Sequence, residues 1–247
     1  MKPFTIIELD ETTSTQTYLT QEDERKSFDE FTVITAKNQI SGRGQGTNIW
    51  ESENGKNICF SLLLKPLFLN PSEQFIITQI ISLAIVDVLV KYGLQDVMIK
   101  WPNDIYVSNN KICGILIQNK IIGNQISHSY IGIGINVNQR KFLFAPNPTS
   151  LTLETDKTHD LNKFLNDTLY NIYVRYMQLK ENKIIEIQNK YLSLLLFKGE
   201  WRKYIYEGRE IVATILNVNE FGHLILQQTD ETILQCELRQ LQFLIKN

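Results

Sequence analysis

The order of apolar and polar positions in the first quarter of the chain predicts three strands and one helix. Residues 5–9 and 31–36 are rich in β-branched and aromatic side chains, and 57–64 is a short, mostly apolar run. The polar run that begins at Thr12 offers several N-cap residues for a helix ending near residue 24. The chain therefore opens as strand, helix, strand and strand.

The segment between the second and third of these strands, 38–56, is polar and glycine-rich and has neither helical nor strand periodicity. We expect a long loop here. A loop of this length inside a compact domain is usually either functional or disordered.

A buried helix is predicted after Asn70. Asn70 can cap the helix, Pro71 suits its first position and Glu73 can reach back to the cap. The helix should end near Tyr92, with Gly93 as its C-terminal stop. Its apolar stretch is interrupted by polar residues and is shorter than the roughly 20 residues of a membrane span, so we expect no membrane insertion.

Strands dominate from 97 to 137, and the polar turn at 108–110 predicts a hairpin. Two helices follow, one after Asp160 and one over about 182–196. From about Lys198 the pattern changes to short alternating strands. We therefore predict an α+β fold in two domains: 1–197, with a mixed or antiparallel sheet flanked by helices, and 198–247, a small β-barrel.

The composition of the chain argues against several classes of protein. The 247 residues include 25 basic and 27 acidic ones, for a net charge of −2, and this balance argues against a surface built to neutralise nucleic-acid phosphates. The three cysteines are too few and too scattered for a disulfide framework or a zinc cluster. The N-terminus lacks the apolar stretch of a signal peptide. We expect a soluble, cytoplasmic protein.

Three segments could carry chemistry. Gly42-Arg43-Gly44-Gln45-Gly46 could bring backbone and a guanidinium close to an anion, although a plain flexible loop explains it equally well. Lys100-Trp101-Pro102-Asn103-Asp104, with Lys111 and Gly114 downstream, could bind a nucleotide and its metal, although a lysine at a strand edge is commonly only solvated. The glycines of Gly132-Ile133-Gly134-Ile135-Asn136 could equally be packing residues in a strand.

Taken together, GRGQG with Trp50 downstream, KWPNDIYV followed by KICGIL, and GIGIN resemble the biotin–protein ligases over about residues 5–140. The upstream TTSTQ matches that family's Ser-Thr-Asn helix start, with Gln16 in place of the usual Asn. The resemblance implies a class II aminoacyl-tRNA synthetase-like catalytic fold and an SH3-like C-terminal domain. It also implies ATP and Mg²⁺ as cofactors, biotin as substrate and a biotin carboxyl carrier domain of a carboxylase as partner.

The resemblance also assigns roles by position. Lys111, Arg43 and Asp104 would be catalytic, with Asp104 also the candidate metal ligand. The biotin-binding set would be Ser14, Thr15, Gln16, Gln39, Gly42, Arg43, Gly44, Lys111, Gly114, Leu116, Gly132 and Gly134. The ATP-binding set would be Arg43, Trp50, Lys100, Asn103, Asp104, Lys111 and Asn136.

Two alternatives stay open at this stage. A lipoate–protein ligase or transferase shares the catalytic fold, and a non-catalytic biotin or nucleotide sensor could keep the same motifs. The motifs begin by residue 12, so we expect no winged helix ahead of them and no DNA binding. We expect a monomer or a weak homodimer.

Overall fold

The computed structural model describes residues 3–42, 44, 46 and 48–245. A seven-stranded mixed sheet, in the order β1-β2-β3-β7-β6-β5-β4, forms its centre. Its first two strands run parallel, and every other neighbouring pair is antiparallel. The strands are β1 Thr5–Thr12, β2 Thr32–Gln39, β3 Ile58–Leu64, β4 Val97–Lys100, β5 Asp104–Val107, β6 Asn110–Ile122 and β7 Gln125–Ile135.

Five α-helices accompany this sheet in the described part of the chain. They are α1 Thr15–Lys26, α2 Phe75–Lys91, α3 Leu151–Thr155, α4 Leu161–Lys180 and α5 Ile184–Ser193. The predicted helix start at Asn70 is present, but its first turn, Pro71–Glu73, is a 3₁₀ helix. The Glu73 carboxylate accepts the backbone N–H of Asn70 at 3.0 Å, as the capping pattern predicted.

The two faces of the sheet are covered unequally, as alternation along β3 shows. Phe60 and Leu62 point into the large core that contains α2 and α4, whereas Leu63 packs with Leu19 of α1 on the opposite face. The hydrophobic core between α1 and the sheet is small, since its buried members among the described residues are Leu19, Ile34, Leu63 and Tyr130. The rest of the α1 face of the sheet is therefore not filled by this core and has room for a ligand-binding cavity.

The α2 helix and its 3₁₀ turn form a helical run of 21 residues, Pro71–Lys91, which by length and composition alone could cross a membrane. The sequence predicted that this stretch is too short to span a membrane, and that prediction of its length is wrong. Twelve of its residues are buried, and the ten apolar ones among them belong to the large core. Its apolar character is accounted for by this packing.

The C-terminal strands form a separate antiparallel sheet in the order β11-β10-β9-β8-β12, as expected for a small SH3-like domain. They are β8 Arg202–Tyr206, β9 Arg209–Val218, β10 Leu224–Gln228, β11 Ile233–Cys236 and β12 Leu241–Phe243. Buried residues of this sheet, including Tyr204, Ile215 and Phe243, belong to the same continuous hydrophobic core as the seven-stranded sheet. The two sheets are therefore packed as one body.

Candidate active site

Glycines form the floor of a cavity on the α1 face of the large sheet. Gly114 of β6 pairs with Gly134 of β7, and Gly132 lies one pleat further along β7. A Cβ at Gly134 would lie 2.5 Å from the Trp50 indole, and one at Gly114 would lie 2.9 Å from it. The backbone is thus bare at these positions, and an aromatic ring packs directly on it.

One end of this floor is lined by polar groups from the start of α1. Ser14 is the N-cap, but its side chain makes no capping hydrogen bond. The Gln39 Oε1 atom accepts hydrogen bonds from the backbone N–H of Thr15 at 2.9 Å and from its hydroxyl at 3.2 Å. The Thr15 hydroxyl also lies 2.9 Å from that of Ser61. Hydroxyl and amide groups are therefore held in fixed orientations at this end.

Gln16 presents an acceptor to the same end. Its side chain is buried, and its Nε2 donates to the Tyr130 carbonyl at 2.9 Å and to Gln118 Oε1 at 3.4 Å. Those bonds turn Oε1 towards Gly132, where an added Cβ would meet it at 2.9 Å. Oε1 itself is buried and has no hydrogen-bond partner in the described structure. A buried acceptor of this kind favours a ligand that brings an N–H donor.

The other end of the floor carries the charges. Lys111 Nζ lies 2.7 Å from Asp104 Oδ1, and it lies 5.8 Å from the centre of the Trp50 ring. Burial lowers the pKa of Lys100; the neighbouring Asp104 carboxylate opposes this effect and the Lys111 cation adds to it. The Lys100 ammonium lies 5.1 Å from the Phe243 ring of the C-terminal sheet. Two cations and one carboxylate therefore converge here.

The cavity has a volume of about 270 Å³ and collects most of the residues predicted from the sequence. Of the predicted set, the following line it: Ser14, Thr15, Gln16, Gln39, Gly44, Trp50, Lys100, Asn103, Asp104, Lys111, Gly114, Leu116, Gly132 and Gly134. Residues far apart in the chain are thus brought together around one space. Their individual roles remain predictions.

Two of the predicted residues that the structure describes, Gly42 and Asn136, do not line the cavity. Arg43 lies outside the described residues. The Gly42 carbonyl accepts the Trp50 N–H at 2.9 Å, which ties Gly42 to a residue that does line the cavity. Asn136 is 3% exposed, and its Nδ2 donates to the Thr149 carbonyl at 2.9 Å, so its side chain is engaged by the backbone of the following loop. An ATP contact from Asn136 stays a prediction.

The structure also adds residues that the sequence did not single out. Leu238 and Leu241, from the C-terminal sheet region, line the cavity. Asn48 and Ile49 also line the cavity, as do four residues of the motifs noted in the sequence: Trp101, Pro102, Ile115 and Ile133. No local signal marked the two leucines, because strand alternation predicts which side chains are buried but not which neighbour they meet.

Metal ligands are sparse in this site. Among the described residues there is no cluster of three or more histidine, cysteine, aspartate or glutamate side chains that could hold a metal ion. Asp104 is the only carboxylate that lines the described cavity. A single carboxylate fits Mg²⁺ that is held mainly by substrate phosphates, but it does not fit a metal caged by the protein alone.

Comparison with known proteins finds similarity to protein ligases that act with biotin or lipoate. Residues 8–136, slightly more than half of the chain, match the model of the family described as "Biotin/lipoate A/B protein ligase family". The bifunctional ligase/repressor BirA of Bacillus subtilis is 35% identical over 112 residues, which cover 45% of this chain and 34% of that protein. The biotin–protein ligase of Homo sapiens is 28% identical over 190 residues, which cover 72% of this chain and 25% of that protein.

A similar solved structure is the biotin protein ligase from Aquifex aeolicus in complex with biotin and ATP. It has a TM-score of 0.77 and 26% identity and covers 96% of this chain and 97% of that one. The fold is therefore similar along nearly the whole chain. The chain spans about a third of the length of the Bacillus relative that it matches in sequence.

Proposed function

Because this chain belongs to the biotin/lipoate A/B protein ligase family, we propose that it activates biotin with ATP and transfers it to a carrier protein. The product of activation is biotinyl-5′-AMP. The acceptor is the ε-amine of a lysine on a biotin carboxyl carrier domain of a carboxylase.

One observation carries this proposal: the cavity has a hydrogen-bonding end and a cationic end, joined by a glycine floor. Thr15, Gln16 and Gln39 offer fixed donors and acceptors at one end, and Lys111 and Lys100 lie at the other. Biotin has the same polarity, with a ureido ring at one end and a carboxylate at the other. Its acyl chain would run through the cavity between them, beside the Trp50 indole.

In the first step, a carboxylate oxygen of biotin attacks the α-phosphorus of ATP. A new O–P bond forms, the bond from this phosphorus to the bridging oxygen breaks, and pyrophosphate leaves. The carboxylate and the triphosphate repel each other, so Lys111 and Lys100 would stabilise the charge that accumulates as they meet. Lys111 is paired with Asp104 in the free protein, and the anionic substrates would compete for this cation.

In the second step, the lysine amine of the carrier attacks the acyl carbonyl. An amide C–N bond forms, the C–O bond to phosphate breaks, AMP leaves and the amine loses a proton to solvent. Neither step needs a protein nucleophile, and positioning together with charge stabilisation supplies the rate enhancement. Bound Mg²⁺ would neutralise phosphate charge, and Asp104 would share in holding it.

Lipoate is the competing substrate within the family, and the buried Gln16 acceptor argues against it. The dithiolane ring of lipoate has no N–H donor, so it would leave Oε1 of Gln16 unpaired, whereas a ureido ring has two such donors. Isothermal titration of the protein with biotin and with lipoate tests this proposal. We expect biotin to bind at least about 100-fold more tightly, and equal or reversed affinities would contradict the assignment.

A further inference from the structure

A second loop, residues 141–146, lies beside the cavity and is fixed to it at its C-terminal end. The Lys111 N–H donates to the Asn147 carbonyl at 2.6 Å, and the Thr149 N–H donates to the Lys111 carbonyl at 2.9 Å. Lys111 itself lines the cavity. The loop therefore leaves directly from the charged end of the site.

The same loop presents unusually exposed apolar side chains. Leu143 is 89% exposed and Phe144 is 62% exposed, and Ile49 on the neighbouring segment is 67% exposed. Ile49 also lines the cavity. Neighbouring exposed apolar side chains at the edge of a site are typical of a surface that covers something else.

Glu51 joins this loop to the segment that carries Trp50. Its Oε1 accepts the Leu143 N–H at 2.6 Å, and its Oε2 accepts the N–H groups of Phe144 and Ala145, each at 3.0 Å. Burial acts to raise the pKa of the Glu51 carboxyl, but the three backbone donors outweigh burial and hold the pKa below its usual value. The carboxylate is thus ionised at neutral pH, when these bonds are strongest.

We propose that Glu51 is a positioning residue that couples loop 141–146 to the Trp50 segment, so that both act as one cover that retains the acyl-adenylate. The inference rests on the proposed function, because it needs a reactive intermediate to retain. On one side of Glu51, the Trp50 indole packs on the glycine floor. On the other side, the carboxylate holds three consecutive backbone N–H groups. Movement of either segment therefore strains the other.

Glu51→Gln tests the coupling with little change in shape. A carboxamide offers one acceptor oxygen in place of two and turns an NH₂ group towards a backbone N–H. The matched control is Glu53→Gln, because Glu53 is exposed and its side chain forms no hydrogen bond or ion pair within the described structure. Both variants lose one negative charge from the same segment.

Two measurements decide the proposal. In the free protein, hydrogen exchange at the amides of 143–145 should become at least about tenfold faster in Glu51→Gln and stay unchanged in Glu53→Gln. With biotin and ATP but no carrier, release of biotinyl-AMP into solution should rise about tenfold in Glu51→Gln, while the first-turnover rate of adenylation stays within about twofold of wild type.

Unchanged exchange in Glu51→Gln would overturn the coupling. Faster exchange without faster release would overturn the retention role, and so would equal release from both variants. If wild-type protein forms no adenylate, the proposed function fails together with the retention role, while the exchange measurement still reports whether Glu51 holds the loop.

Discussion

Missing side chains shape this site as much as present ones. At Gly134 a single methyl group would overlap the Trp50 indole, and at Gly132 it would meet the end of Gln16. The two cases differ physically, because an aromatic ring packed on a sheet yields less readily than the tip of a flexible side chain. The floor at Gly134 is therefore the less tolerant of the two positions.

Gly134→Ala should weaken biotin binding about tenfold to hundredfold, because the added methyl group displaces the Trp50 indole that lines the cavity, and an overpacked contact of this kind costs about 1–3 kcal/mol. Titration calorimetry measures the affinity. Ile131→Val serves as the control, since it trims the opposite, core-facing side of the same strand. If the two variants bind biotin equally well, the contact between Gly134 and Trp50 does not shape the biotin site.

Lys111→Ala should form adenylate about 10²–10³ times more slowly while remaining folded, because a charge-assisted contact to the reacting groups is lost. Pre-steady-state measurement of adenylate formation gives the rate, and circular dichroism checks the fold. Lys120→Ala, at an exposed position of the same strand, is the control. Near-normal adenylation by Lys111→Ala would remove this lysine from the mechanism.

The motif residues could be predicted from the sequence at this scale because they resemble those of a known family, and strand alternation then places Gly114, Gly132 and Gly134 on one face of the sheet. Asn136 shows the limit of that argument. Strand alternation places it on the face of Gly132 and Gly134, but β7 ends at Ile135, and the chain turns so that the amide meets Thr149 instead. Where a strand ends depends on its partners as well as on its own residues.

Helix ends were predictable at the scale of elements because their signals are local. Asp160 caps α4 as expected, and its Oδ1 accepts the Lys163 N–H at 3.0 Å. The hairpin turn at 123–124 was missed, because the polar residues around it obscure the alternation and its register is set by cross-strand pairs such as Ile121 with Ile126. The five-residue α3 is too short to show helical periodicity.

Asp160→Ala should lower the free energy of unfolding by about 1 kcal/mol, because the first turn of α4 loses the acceptor that satisfies one of its N–H groups. Urea unfolding measures the change. Asp160→Asn keeps an acceptor and should recover most of the loss. Equal destabilisation by both substitutions would show that the charge at this position matters and the cap does not.

The C-terminal sheet packs more closely on the rest of the molecule than the sequence suggests. The pattern change at 198 predicts a separate domain, and the second sheet is indeed distinct. Yet Trp101 Nε1 donates to the Gly222 carbonyl at 2.9 Å, and the Gly222 backbone packs closely on Phe75. Such contacts between distant segments leave no local pattern, which explains why the family resemblance could imply a role for the C-terminal domain but could not say which of its residues meet the cavity.

Because the two sheets share one core, the protein should unfold in a single cooperative transition. Scanning calorimetry tests this, and the calorimetric enthalpy should equal the van't Hoff enthalpy. Two resolved transitions, or a calorimetric enthalpy well above the van't Hoff value, would show instead that the C-terminal sheet is an independent folding unit.

Exchange of labelled pyrophosphate into ATP is the most direct measurement of the central claim, because it reports reversible formation of an acyl-adenylate without any carrier protein. Exchange should require biotin, should not be supported by lipoate, and should fall about 10²–10³-fold in Lys111→Ala. Exchange that proceeds with lipoate alone would contradict the assignment of biotin, and no exchange with any acid would contradict the proposed ligase chemistry.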